Sequence, residues 1–283
     1  MSTVAPVRSR PIVGWAVHDG LVVARRNLIQ SIRVPESLFF SLVQPVIFVL
    51  LFAYVFGGAI PIPGDGANAE DAANAYRNYL MPGIFGQTVA FAAAASTVGI
   101  AEDMRKGLID RFRALPMAHG AVLIGRTFAD AGRQILVLAV LSLTGLIVGW
   151  RISGGVLNAI YAYLLLLLFA YTVSWVGSTI GLSMPNPETA STAGLAWLFP
   201  LTFLSNAFVP ISSMPDWLQA FAAFNPVSTL VLSTRELFGN PTGIQPDYWP
   251  MQHPEAYTVL ACAVIIAIFA TLSVRKFGRT TSK

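Results

Sequence analysis

Residues 38–56 read Leu-Phe-Phe-Ser-Leu-Val-Gln-Pro-Val-Ile-Phe-Val-Leu-Leu-Phe-Ala-Tyr-Val-Phe, without one Asp, Glu, Lys or Arg. At 1.5 Å of rise per residue, a helix of this length covers the hydrocarbon core of a bilayer, about 30 Å thick. A helix in a soluble core has no need of such a run, so the block reads as a membrane span. Working outward, apolar blocks of the same kind recur at about 80–101, 134–150, 156–181, 190–210 and 256–274. The pattern predicts an all-α integral membrane protein of six transmembrane helices. Helices are required because backbone amides in lipid must pair within their own segment, and a barrel would show short alternating stretches instead.

Composition agrees. The 283 residues are 55% hydrophobic and 11% charged, too little polar surface for a soluble globule. The lone Cys262 sits inside an apolar block and has no partner for an intrachain disulfide. Residues 1–37 are polar and basic, without the apolar core and small-residue cleavage site of a signal peptide, so the first span is expected to be uncleaved.

Six spans put both termini on one side, and basic residues choose it. With the N-terminus cytoplasmic, every Lys and Arg except Arg77, Arg151 and Arg235 falls inside, as the excess of basic residues in cytoplasmic loops requires. The formal charge of +4 then follows from topology, and nucleic acid is not an expected partner. Within 1–37, Val17, Leu21, Ala24, Leu28 and Ile32 share one helical face against Asp19, Arg26, Gln30 and Arg33. This predicts a helix lying in the inner interface, Arg25, Arg26 and Arg33 toward lipid phosphates, ended by Pro35.

The segment 102–133 joins many charges to a helical stripe of Met104, Leu108, Phe112 and Leu115, closed by Pro116. Two readings fit: a docking surface for a soluble partner, or a solvated loop. After Pro116 a helix restarting past Gly120 carries Arg126, Asp130 and Arg133, a ladder suited to pairing within that helix. Residues 211–255 are apolar but broken by Pro215, Pro226, Pro241, Pro246 and Pro250. They predict a short helix 216–224 with Ser213 as cap, a break at Asn225-Pro226, and a second helix stopped at Gly239-Asn240-Pro241. The pair either dips into the outer leaflet or caps the bundle. Residues 275–283 form a cytoplasmic tail.

No catalytic or metal-binding constellation is present: His18, His119 and His253 are scattered, and G-x-x-x-x-G-K-[ST] is missing, so any ATP must be used by another chain. None of the fourteen acidic residues lies within the six blocks. A charge at the bilayer centre costs about 2.5–3.5 kcal/mol or more and is kept mainly where ions or substrates need it, which argues against a proton-driven carrier. Uncharged polar residues do occur there: Gln44, then Gln87, Thr88, Ser96 and Thr97, then Thr202, Ser205 and Asn206. They either line a pathway or join helices. Tyr161, Tyr163, Tyr171 and Trp175 in the fourth block face lipid or solute.

Residues 21–28, Leu-Val-Val-Ala-Arg-Arg-Asn-Leu, and 107–116, Gly-Leu-Ile-Asp-Arg-Phe-Arg-Ala-Leu-Pro, resemble the membrane subunits of type-2 ATP-binding-cassette (ABC) exporters, most nearly the daunorubicin-resistance permease branch. Gly125-Arg126 with Asp130, Asn186-Pro187-Glu188, Phe208-Val209-Pro210 and Met214-Pro215-Asp216-Trp217 extend the likeness over nearly the whole chain. The resemblance implies a multi-pass protein of a bacterial plasma membrane that is itself no enzyme. It implies two permease chains, identical or sisters, and two P-loop ATPase subunits that bind ATP and Mg, this chain binding no cofactor. The implied ATPase-coupling residues are Glu102, Arg105, Leu108, Asp110, Arg111, Phe112, Arg113, Leu115 and Glu188. The translocation path takes in Gln44, Gln87, Thr88, Thr202 and Asn206, and the outer gate Trp217, Phe221 and Phe224. An amphipathic drug or lipid is the expected substrate. A carrier without an ATPase and an accessory membrane protein are the competing readings.

Overall fold

The structure, a computed structural model, describes residues 35–55, 69–108 and 119–279. The N-terminal helix with Arg25, Arg26 and Arg33, and the residues Asp110, Arg111, Phe112, Arg113 and Leu115, lie outside the described residues. The elements are α1 (Pro35–Val55), α2 (Ala69–Arg105), α3 (His119–Val148), α4 (Val156–Gly181), α5 (Pro187–Phe203), a 3₁₀ turn (Ile211–Ser213), α6 (Asp216–Phe224), α7 (Pro226–Phe238), α8 (Trp249–Gln252) and α9 (Pro254–Arg279). No strand occurs among the described residues.

Among the described residues, four stretches are long and apolar enough to cross a membrane: Ala72–Arg105, Leu123–Val148, Val156–Gly181 and Pro254–Gly278; Leu42–Val55 is apolar but shorter. The third of the expected blocks, 134–150, extends back into the segment read as cytoplasmic, so Asp130 falls inside an apolar helix after all. The fifth, expected at 190–210, is a helix of 17 residues, about 25 Å long. It starts early because the Asn186 side chain accepts from the Thr189 amide with Pro187 in the first turn. It stops early because Asn225 Nδ2 donates to the carbonyls of Leu201 (2.6 Å) and Leu204 (3.0 Å), satisfying groups that a longer helix would have paired.

Helix α2 is the central post, packed against α1, α3, α4, α5 and α7. Small residues permit this. Gly177 and Gly181 of α4 face the carbonyls of Ala93 and Thr97, where an added Cβ would come within 2.3 and 2.5 Å. This is the small-xxx-small approach that lets membrane helices touch without a hydrophobic driving force. Thr179 of α4 shares a hydrogen bond of 2.6 Å with Ser273 of α9, and Thr258 of α9 donates to Thr229 of α7 at 3.0 Å. Of the fourth block's aromatics, Trp175 is buried, Tyr163 hydrogen-bonds Ser142 at 2.6 Å, and Tyr161 is exposed.

The short helices fall where the breaks placed them, with one correction. Ser213 does not cap α6; its hydroxyl donates to the Pro210 carbonyl at 2.7 Å and closes the 3₁₀ turn instead. Asn225 caps α7 by accepting from the Val227 amide, and Gly239 ends it at φ 70°, which only glycine adopts without strain. A cluster of Phe85, Trp150, Tyr163 and Phe238 packs edge to face beneath α7. Trp150 donates to Asn240 at 2.8 Å, fastening the α3–α4 turn to the end of α7.

Candidate functional site

Three places in the bundle carry polar chemistry. The first is the charged end of α2, α3 and α5. Arg126 of α3 pairs with Asp103 of α2, and Ser96 of α2 donates to Asp130 of α3 at 2.6 Å. The Arg126 guanidinium lies over Gly99, where any side chain would strike it. Arg126 and Asp130, expected to pair within α3, thus bond across to α2. At the rim, Arg105 meets Glu188 at 3.7 Å and Glu102 meets Lys106 at 3.1 Å. Two expected coupling residues from distant parts of the chain thus stand together, with half-buried Leu108 just beyond.

The second is a cavity of about 240 Å³ between α1, α2, α3 and α5. Its lining includes Gln44, Gln87 and Thr88, three of the five expected pathway residues, with Phe48, Phe91, Asp130, Arg133, Gln134 and Val137. The other two are elsewhere. Thr202 is buried and turns its hydroxyl back to the Leu198 carbonyl at 2.7 Å, and Asn206 belongs to the third place.

There, Arg235 of α7 is fully buried. Its Nε donates to the Tyr79 carbonyl at 2.9 Å, and one Nη donates to the carbonyls of Asn206 (2.8 Å) and Ala207 (3.2 Å). Its guanidinium carbon stands 3.5 Å from the centroid of the Tyr79 ring, and the Tyr79 hydroxyl donates to the Asn206 carbonyl at 3.1 Å. A cation is thus held by backbone dipoles and an aromatic face. Sequence reasoning placed Arg235 among loop charges, since nothing in its neighbours along the chain marks burial. Gly83 permits the arrangement: a Cβ there would lie 1.9 Å from the Ala207 carbonyl.

On the same side of the molecule, Trp217, Phe221 and Phe224 of α6 stand 75%, 51% and 53% exposed, an aromatic ridge at helical spacing. Beside α7, Glu236 and Glu255 share a recess with Tyr161 and His253. Burial first, and then the charge of Glu255, hold the Glu236 carboxyl above the usual carboxylate range. No grouping of His, Cys, Asp and Glu among the described residues has the form of a metal site.

Long apolar helices around a small-residue post, with a charged end and a broken apolar hairpin at the other, define a polytopic membrane protein. Residues 20–238 match the family model of the ABC-2 type transporter, and the chain belongs to that family. It is 31% identical over 277 residues to the daunorubicin resistance ABC transporter permease protein DrrB1 of Streptomyces coeruleorubidus, covering 98% of this chain and 92% of that one. It is 26% identical over 231 residues to the doxorubicin resistance ABC transporter permease protein DrrB of Mycobacterium tuberculosis, covering 81% and 79%. The putative transport permease ycf38 of Cyanophora paradoxa matches at 23% over 225 residues, covering 79% and 75%. The chain is therefore an integral membrane permease, the non-catalytic kind of ABC subunit.

Proposed function

We propose that this chain is the membrane-spanning subunit of an ATP-driven exporter that moves an amphipathic drug, natural product or lipid out of the cytoplasm or inner leaflet. The observation that carries the reading is the cavity of Gln44, Gln87 and Thr88 in a chain of the ABC-2 family, since polar side chains around an apolar recess suit an amphipathic solute. Two relatives named for resistance to daunorubicin and doxorubicin favour a drug over a lipid.

In this reading α1 to α5 and α9 are the six spans, both termini are cytoplasmic, and α6 and α7 form a re-entrant outer hairpin with Trp217, Phe221 and Phe224 at the gate. Two such chains, identical or sisters, join two P-loop ATPases that hold the ATP and Mg. The interfacial helix and the segment 102–116 seat on the ATPases, and Glu188, drawn to Arg105, adds a second contact. ATPase closure pushes this end and tilts the spans between inward- and outward-facing states. The work comes from ATP binding more tightly to one of those states, transmitted through the contact. The test is isolation from native membranes followed by an ATPase assay. Co-purification with a P-loop ATPase whose turnover rises with an amphipathic drug supports the reading; isolation without any ATPase, with transport that ignores ATP, overturns it.

A further inference from the structure

Two of the groups facing the cavity have no partner among the described residues. Gln87 is 4% exposed and its Nε2 makes no hydrogen bond; Gln134 is 8% exposed and its Oε1 makes none. One is a donor on α2, the other an acceptor on α3, and both side chains line the same space. A buried amide left unpaired costs about 1–3 kcal/mol, so a molecule that met both would recover that cost. Asp130 already accepts from Ser96 and stands on a helix between Arg126 and Arg133, so the cavity offers no uncompensated negative charge to attract a cation. Phe48, Phe91, Ala92 and Val137 supply apolar wall. Gln44 and Ala95, the exposed members of the lining, mark the mouth. The volume of about 240 Å³ is below the roughly 300–1,000 Å³ of a site for a whole drug-sized ligand.

We propose that each permease chain holds, within its own helices and not between two copies, a site for one uncharged, apolar end of an amphipathic ligand. That end carries a hydroxyl or comparable donor–acceptor group, which accepts from Gln87 Nε2 and donates to Gln134 Oε1. The remainder of the ligand leaves past Gln44. The proposal rests on the exporter reading for the ligand's origin, yet binding needs no ATP, so the two fail separately.

The test is calorimetric titration of the full chain with its ATPase in nanodiscs, without nucleotide, empty nanodiscs being subtracted for partition. The probes are 1-naphthol, 1-methylnaphthalene and 1-naphthylmethylammonium. Saturable binding of one naphthol per permease chain is expected, about tenfold or more tighter than methylnaphthalene. The preference should collapse to within about threefold in Gln87→Leu and in Gln134→Leu, and persist in Gln134→Glu, which keeps the acceptor. Should either leucine variant fail to fold, the wild-type ratio and Gln134→Glu still decide. Equal binding of naphthol and methylnaphthalene by the wild type overturns the proposal, as does loss of the naphthol preference in Gln134→Glu. A preference that survives both leucine substitutions does the same, and so does tightest binding by the ammonium probe that Asp130→Asn abolishes.

Discussion

At the charged end of the bundle Arg126 meets Asp103 across two helices, whereas at the short-helix end Arg235 lies fully buried among the carbonyls of Tyr79, Asn206 and Ala207. The first arrangement joins side chain to side chain. Both side chains keep some exposure, 16% and 21%, so either can turn outward by rotating about its own bonds. The second joins a side chain to the backbone of two other segments, and separating them strands a cation and three carbonyls in an apolar interior. At the other end α7, the segment after α5 and the adjoining part of α2 are tied together, and α6 packs on α7 with Trp217, Phe221 and Phe224 exposed.

The largest effect belongs to the clamp. Arg235→Ala should lower stability by about 3–5 kcal/mol, the range for breaking a buried charged network, read as earlier thermal unfolding of the purified protein in detergent. Arg235→Lys should recover less than half of it, because an ammonium lacks the planar fork that reaches separate carbonyls. Full stability in Arg235→Ala would erase the distinction between the two ends. Next comes the charged end: a double-mutant cycle on Asp103→Asn and Arg126→Gln should return a coupling of about 1–2 kcal/mol, with each single variant still folded. A coupling as large as the loss in Arg235→Ala would mean that both ends are equally fixed.

Smaller again is the response to pH at the short-helix end. A carboxyl whose pKa is raised on folding contributes stability that is fully present below its unfolded value and lost as pH rises through the folded value. Glu236 is of this kind, so mild acidification should stabilise the protein slightly, and Glu236→Gln should remove that gain. The smallest effect is at the rim. Arg105 and Glu188 are 58% and 77% exposed, so breaking their pair should change stability by under about 1 kcal/mol. Under the proposed function, a change in ATP turnover beyond that is the expected mark of an ATPase contact at this pair.

Much of this was legible in the sequence, because the strongest signals are local. Charge-free blocks mark the long helices, and Pro215, Asn225-Pro226 and Gly239 delimit α6 and α7 within the segment they occupy. Gln44, Gln87 and Thr88 line one cavity, where their places in the sequence left a pathway and helix contact both open. What escaped depends on partners far along the chain. The early end of α5 is made by Asn225 donating to Leu201 and Leu204, and no pattern inside 190–210 encodes it. Arg235 read as a loop charge because its partners are backbone groups, which carry no residue signature. Asp130 and Arg126 read as an internal ladder because Ser96 and Asp103 come from the preceding helix. Gln134 was passed over although it borders the same cavity, since a glutamine near a span's edge looks like any other interfacial residue.

In the proposed exporter, energy enters at the charged end from a partner ATPase. Leu108 is half-buried at the last described position of that end, and Phe112 follows it in the sequence stripe of Met104, Leu108, Phe112 and Leu115. The direct measurement is ATP-driven uptake of a fluorescent amphipathic drug into inverted vesicles containing the permease and its ATPase, compared between the wild type and the Leu108→Asp, Phe112→Asp double variant. ATP-dependent uptake is expected in the wild type, with a loss of at least about tenfold in the variant and membrane insertion intact, since about 1.4 kcal/mol of lost coupling suffices for that. Undiminished ATP-driven transport in the double variant would contradict it.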